Sequence, residues 1–233
     1  VQEESRDGLL AVDDPSPVEW FNRSGASPIL LTGDHGGNAV PRKHALLGLP
    51  PAELARHIGW DVGVRALGRR IAATIDAAFV CQTYSRLLID CNREPHSADA
   101  IPATSDGTFV PGNADLAPSE AQARIDAIHA PYHAAIAEEI ARRQSTGQAV
   151  TLVALHSFTP RMNGVDRPWQ IGILHAGHAD AFSLRLLARL RTHPDLIVGD
   201  NEPYRMDETD FSIPRHAFAG GLAYAEIEVR QDL

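Results

Sequence analysis

Lysine is almost absent from the 233 residues: Lys43 stands alone, and the other 20 of the 21 basic residues are arginines. Against them stand 30 acidic residues, for a formal net charge of −9. That balance argues against non-specific binding to nucleic acid or to an anionic membrane surface, which needs clustered cations. It leaves room for a small anionic substrate, because arginine offers a planar fork that matches a carboxylate. Cysteine is scarce too. Cys81 and Cys91 are in no CxxC or other metal-type spacing and fall in apolar stretches, so buried reduced thiols are expected. There is no run of about 18 apolar residues and no recognisable secretory signal, so the expectation is a cytoplasmic protein without a membrane partner. Repeats, low-complexity tracts and a clear linker are missing as well. One domain over residues 1–233 is expected, with residues 1–25 as an N-terminal extension whose polar start, VQEESRDG, frays.

What is present is an alternation of strand-like and helix-like patterns. Ser27 to Thr32 reads as a short buried strand. Leu54, Ile58, Val62, Leu67 and Ile71 recur near helical spacing after Pro50-Pro51, which suits a first helical turn. Phe79 to Cys91 reads as β structure containing RLLID, followed by a long polar loop from Glu94 to Pro118. Ser119 to Gln122 has the form of a capping box and opens a helix to about Arg143, with a kink expected at Pro131. Strands are expected at Ala149–Leu155, Trp169–Leu174, Leu196–Gly199 and Gly221–Val229, and a helix at Ala179–Thr192. Alternation with near-continuous apolar strands implies an α/β class with a mostly parallel sheet covered on both faces. Such sheets bind ligands beyond the carboxyl ends of their strands.

Several strands run into chemistry at that end. LLTG leads to Asp34-His35, RLLI to Asp90-Cys91-Asn92-Arg93, LVAL to His156-Ser157, and AEIEV carries Glu226 and Glu228. Taken singly, His35 and His156 are as well explained by a turn or a satisfied rim histidine. Taken together, two imidazoles and a carboxylate make a set that catalytic zinc accepts, with one position left for water. The third ligand has two candidates. Asp61 lies four residues from His57 on the expected first helix, and Asn38 follows His35 by three but carries no charge. Glu226 and Glu228 share a strand face and need a cation, a partner or solvent; Glu228 is a candidate general base, and an ion pair with a neighbouring arginine explains it equally. Arg93 after Asn92 is a candidate clamp for a substrate carboxylate. Arg161, Asn163, Arg167 and Trp169 form a polar cluster after His156, and Arg215-His216 precedes Gly220-Gly221; each could bind substrate or brace a loop. The glycine pair in DHGGN is expected to let backbone approach the site.

In order, the stretches DHGGN with AVP, ARHIGWD, SRLLIDCNR, PGN, APYHAAI, LHSFTP, NGVDRPWQIG, VGDNEPY, PRHA and IEVRQD resemble the N-formylglutamate amidohydrolase family. The resemblance runs from residue 34 to the C-terminus. That family is similar in turn to zinc carboxypeptidases and related amidohydrolases. The resemblance implies a three-layer α/β/α domain of the zinc-carboxypeptidase/phosphorylase-hydrolase type, with a mostly parallel mixed sheet. It implies one zinc ion on His35 and His156, a substrate carboxylate held by Arg93 with Asn92, and Glu228 as general base; Arg167 and His216, from the later polar clusters, are expected to bind substrate as well. The peptidases place a glutamate three residues after the first histidine, where this chain has Asn38; zinc amidases of similar fold draw a carboxylate from the following helix, which favours Asp61 as third ligand. The implied activity is cleavage of a small N-acyl amino acid, N-formyl-L-glutamate foremost; the alternatives are a peptidase or amidase on a larger peptide or cell-wall substrate, and a binding module that has kept the fold and lost the chemistry.

Overall fold

A computed structural model describes residues 8–233. The expected fraying of the N-terminus falls largely on residues outside that range. Seven strands form the main sheet: β1 (Val18–Phe21), β2 (Ile29–Gly33), β3 (Ala78–Gln82), β4 (Thr151–Phe158), β5 (Ile171–Leu174), β6 (Val198–Asp200) and β7 (Ala223–Arg230). Their spatial order is β1-β3-β2-β4-β7-β5-β6. The central four, β3, β2, β4 and β7, run parallel. β1 is antiparallel to β3, and β5 is antiparallel to β7. The sheet is therefore mixed and mostly parallel, as its sequence implies. β1 lies in the segment expected as an extension, yet it closes one edge of the sheet.

The alternation of apolar side chains along each strand divides the core in two. Leu30, Val80, Leu152 and Tyr224 face one helical layer, with Ile128, Tyr132, Ile136 and Ile140 packed on them. Leu31, Phe79, Val153 and Leu155 face the other, against Val64 and Ala72 of α2 (Val64–Thr74) and Phe182 of α5 (Ala181–Leu190). The result is a three-layer α/β/α arrangement.

Three local expectations are corrected. The helix expected from Leu54 to Ile71 breaks in two: α1 is only Pro51–Leu54, and α2 starts after Gly63, whose backbone is left-handed at φ 88°. Asp61 therefore sits in the connection rather than on a helix, and His57 turns to Asp106 at 3.3 Å instead of to Asp61. RLLID is a turn, not a strand; its own Leu87, Leu88 and Ile89 are buried as part of the core. The helix expected to begin with a capping box begins instead at Pro118, the first residue of α3 (Pro118–Arg124), with no side-chain cap. It continues through a π-helical stretch, Ile125–His129, into α4 (Ala130–Ser145). Pro131 lacks an amide hydrogen and its ring crowds the preceding turn, and the widened π turn just before it absorbs both effects.

The glycine pair has a packing role. A Cβ on Gly36 would run into Cys81 Sγ, and one on Gly37 would overlap the backbone of Thr83. The two glycines press the β2 exit loop against the end of β3. Gly37→Ala is expected to destabilise the protein on the order of 3 kcal/mol, because backbone rather than a flexible side chain blocks the added carbon. Denaturant unfolding checks this; an unchanged midpoint would show that the loop has room to move.

Candidate metal centre and substrate cavity

The parallel strands bring their carboxyl ends to one rim. β2 delivers Asp34 and His35 just past its last residue. β4 carries His156, directly paired with Glu228 of β7 in the sheet register. Asp61 arrives from the α1–α2 connection, where its amide donates to the His35 carbonyl at 2.9 Å. All three of His35, Asp61 and His156 are buried, and one donor atom from each lies within 4.8 Å of the others. Asn38 is not in this group; its side-chain amide donates to the Leu54 carbonyl at 2.7 Å.

The hydrogen bonds define which atoms face inward. His35 Nε2 lies 2.6 Å from Asp90 Oδ1. An ionised carboxylate only accepts, so Nε2 carries the proton, and in a neutral ring Nδ1 is left as a bare lone pair. That Nδ1 faces Asp61 Oδ2 at 3.4 Å, and His156 Nδ1 faces the same oxygen at 3.0 Å. Asp61 is fixed by the Ser157 amide at 3.3 Å and by Arg86 at 3.3 Å. Arg86 also grips Asp90 Oδ2 through Nε at 3.0 Å and Nη2 at 2.7 Å.

The charges make the same point. Asp61 and Asp90 share Arg86, and Asp34 has no arginine partner among the described residues, so with neutral imidazoles these four groups carry two net negative charges. Burial alone would raise the carboxyl pKa values, but the cationic partners outweigh it: Asp61 and Asp90 are both lowered, Asp90 by Arg86 and His35. Burial would likewise lower His156 and His35, yet both are raised, His156 by Asp34 and Asp61, His35 by Asp90 and Asp61. The site asks for positive charge, and two imidazole nitrogens and a carboxylate oxygen converge where a divalent cation would supply it. That donor set fits a metal with an open coordination position.

A cavity of about 520 Å³ opens on this centre. Its walls include Arg86, Arg93 and Arg205, with Glu226 and Glu228 on the β7 side. Neither glutamate has a hydrogen-bond partner for its buried Oε2 among the described residues. Burial lifts the Glu228 carboxyl to about 7, with Asp61 adding to the rise and His156, Arg86 and His35 opposing it.

The sequence-predicted binding residues separate here. Arg93 lines the cavity and pairs with Asp99 at 3.1 Å. Asn92 lines it too, but its side chain is engaged: Oδ1 accepts from the amides of Phe211 and Ser212 at 3.0 and 2.9 Å, and Nδ2 donates to Asp210 at 3.3 Å. Arg167 and His216 are not among the lining residues. Arg167 donates to the Tyr204 hydroxyl at 3.0 Å and stacks on that ring. His216 sits behind the site, 2.9 Å from His133, whose other nitrogen meets the Cys91 carbonyl at 2.8 Å. Arg86, Asp90 and Asp34 escaped assignment from sequence, although each lies in or beside a quoted motif. Arg205 follows the NEPY motif directly and carried no signal, because nothing in its spacing links it to the strand ends.

Because Asn92 holds residues 210–212, Asn92→Ala is expected to speed proteolytic nicking of that loop at least several-fold. Limited proteolysis with mass spectrometry reads this directly. A loop as protected as in the parent protein would show that Asn92 does not brace it.

Residues 27–233 match the sequence profile of the family described as N-formylglutamate amidohydrolase. The chain is similar to the crystal structure of gene product Atu2144 from Agrobacterium tumefaciens, with 35% identity and a TM-score of 0.91 over 97% of this chain and 89% of that one. It is also similar in fold to an N-formylglutamate amidohydrolase from Ralstonia eutropha JMP134, at 23% identity and a TM-score of 0.69 over 94% and 87% of the two chains. No curated protein matches the sequence. With the profile spanning nearly the whole chain, the protein belongs to the N-formylglutamate amidohydrolase family.

Proposed function

We propose that the protein hydrolyses the amide bond of an N-acyl amino acid, with N-formyl-L-glutamate as lead substrate, giving formate and L-glutamate. One observation carries the reading: a metal-type His35, Asp61, His156 set and an unpartnered Glu228 face the same small cavity. The volume suits a small ligand rather than an extended peptide.

His35, Asp61 and His156 would hold a zinc ion. When bound, zinc supplies Lewis acidity, polarising the acyl oxygen and acidifying a water molecule. Glu228 is the base. Burial places its carboxyl near neutrality, the poise a general base needs, and no protein donor competes for it. It accepts a proton as the water oxygen bonds to the acyl carbon. It then returns that proton to the nitrogen as the C–N bond breaks, releasing the carboxylic acid and the free amine. Arg86, fixed by Asp61 and Asp90, adds fixed positive charge where negative charge develops on the acyl oxygen.

Arg93 and Arg205 supply the anion recognition. The Asp99 partner of Arg93 is half exposed at the rim, so a substrate carboxylate can take its place. Arg205 has no ion-pair partner among the described residues. Asn92 and His216 support these groups from behind, and Arg167 anchors Tyr204, the neighbour of Arg205. This arrangement answers the absent charge at Asn38 by drawing it from Asp61, which argues for a working centre rather than a binding module that has lost its chemistry.

The test is amine release by zinc-reconstituted protein from formyl-, acetyl- and succinyl-amino acids. Formyl-glutamate is expected to be the best substrate, and Glu228→Gln is expected to lower kcat by about 10²–10⁴-fold with metal content unchanged. Equal turnover by the variant would remove Glu228 from the mechanism. Failure to cleave any acyl amino acid would remove the substrate class.

A further inference from the structure

Each imidazole of the centre has an aspartate behind it, but the two aspartates are held in different ways. Asp90, behind His35, is gripped by Arg86 and by the Asn92 amide at 2.8 Å. Asp34, behind His156, has no arginine, lysine or backbone amide partner among the described residues. Its Oδ1 accepts one hydrogen bond, from the Tyr132 hydroxyl at 2.7 Å. Its Oδ2 lies 3.4 Å from His156 Nε2, and neither of these two buried atoms has another hydrogen-bond partner among the described residues.

Tyr132 reaches this position from the opposite layer. Its ring is fully buried in the core between α4 and the sheet, where phenylalanine would fill the same space. Among the described residues, the hydroxyl bonds only to Asp34. The helix that carries it is tied down at its far end, where Arg143 pairs with Glu139 at 2.7 Å and donates to the carbonyls of Ser27 and Ile29 at 3.0 and 3.3 Å. The π turn and Pro131 immediately precede Tyr132 and set its rotation about the helix axis. π turns of this kind recur at functional sites.

We propose that Tyr132 and Asp34 are positioning residues for His156, holding the Nε2 side of its ring so that Nδ1 stays turned toward the metal position shared with His35 and Asp61. The inference rests on the metal reading given above, not on the identity of the substrate. Tyr132 orients the Asp34 carboxylate, and the carboxylate orients the ring. Without the hydroxyl, Asp34 is free to rotate away from His156, and the ligand loses its fixed direction. Removing an outer partner of a metal-bound histidine characteristically costs about 10–100-fold in metal affinity.

Zinc dissociation constants from competition with a chromophoric chelator test this on the full chain. The set is the parent protein, Tyr132→Phe, Asp34→Asn and Asp34→Ala, with cobalt-loaded visible spectra and melting of the zinc-free proteins alongside. Tyr132→Phe is expected to weaken zinc about 10–100-fold and to shift the cobalt band, while zinc-free melting stays close to that of the parent. Asp34→Asn keeps an oxygen toward His156 and is expected to retain more affinity than Asp34→Ala. Parent-like affinity in Tyr132→Phe, or equal losses in the two Asp34 variants, would overturn the proposal and leave the metal reading standing. If the parent itself took up no zinc, the metal reading would fall and this proposal with it.

Discussion

A single carboxylate oxygen, Asp61 Oδ2, faces the Nδ1 atoms of two buried imidazoles, and the rest of the site is arranged around that convergence. Three acceptor-type atoms cannot crowd together in a protein interior without a cation or protons between them. The surrounding groups leave the cluster short of positive charge, and they do so on rigid elements. His156 lies within a central strand, His35 leaves the neighbouring one, and Asp61 is pinned by the His35 carbonyl and the Ser157 amide.

The parallel topology is what makes the convergence possible. Four adjacent strands running the same way place their exits on one rim, so short polar segments after each can meet without long loops. The sheet register then sets Glu228 beside His156. The helical layer does more than cover the sheet. Through α4 it pins the start of β2 at one end, by Arg143, and meets Asp34 past the other end of β2, by Tyr132. The core and the site are thus held by the same helix.

Much of this was legible in the sequence. Apolar runs ending in DH, HS and EIEV gave both the sheet and the metal-type residues, because burial on two faces leaves a continuous hydrophobic signature and polar residues can follow it only at the rim. The ordered family motifs named Glu228 and Arg93 as well. Other features could not be read. RLLID looks like a strand because its leucines are core residues, but periodicity does not separate a buried turn from a buried strand. The break between α1 and α2 depends on the left-handed Gly63, and Gly63 by itself is a common helix residue to tolerate. Asn92 and His216 bond to groups far along the chain, and Arg167 reaches Tyr204 across 37 residues, so their bracing positions needed three dimensions. Tyr132 and Asp34 are 98 residues apart, and only the packing of α4 brings them together.

The most direct measurement is the metal content of the purified protein after equilibrium dialysis against zinc, by elemental analysis, with a His35→Ala/Asp61→Ala double variant alongside. One zinc per parent chain is expected, and essentially none in the double variant. A parent chain that retains no zinc, or a double variant that retains a full equivalent, would contradict this.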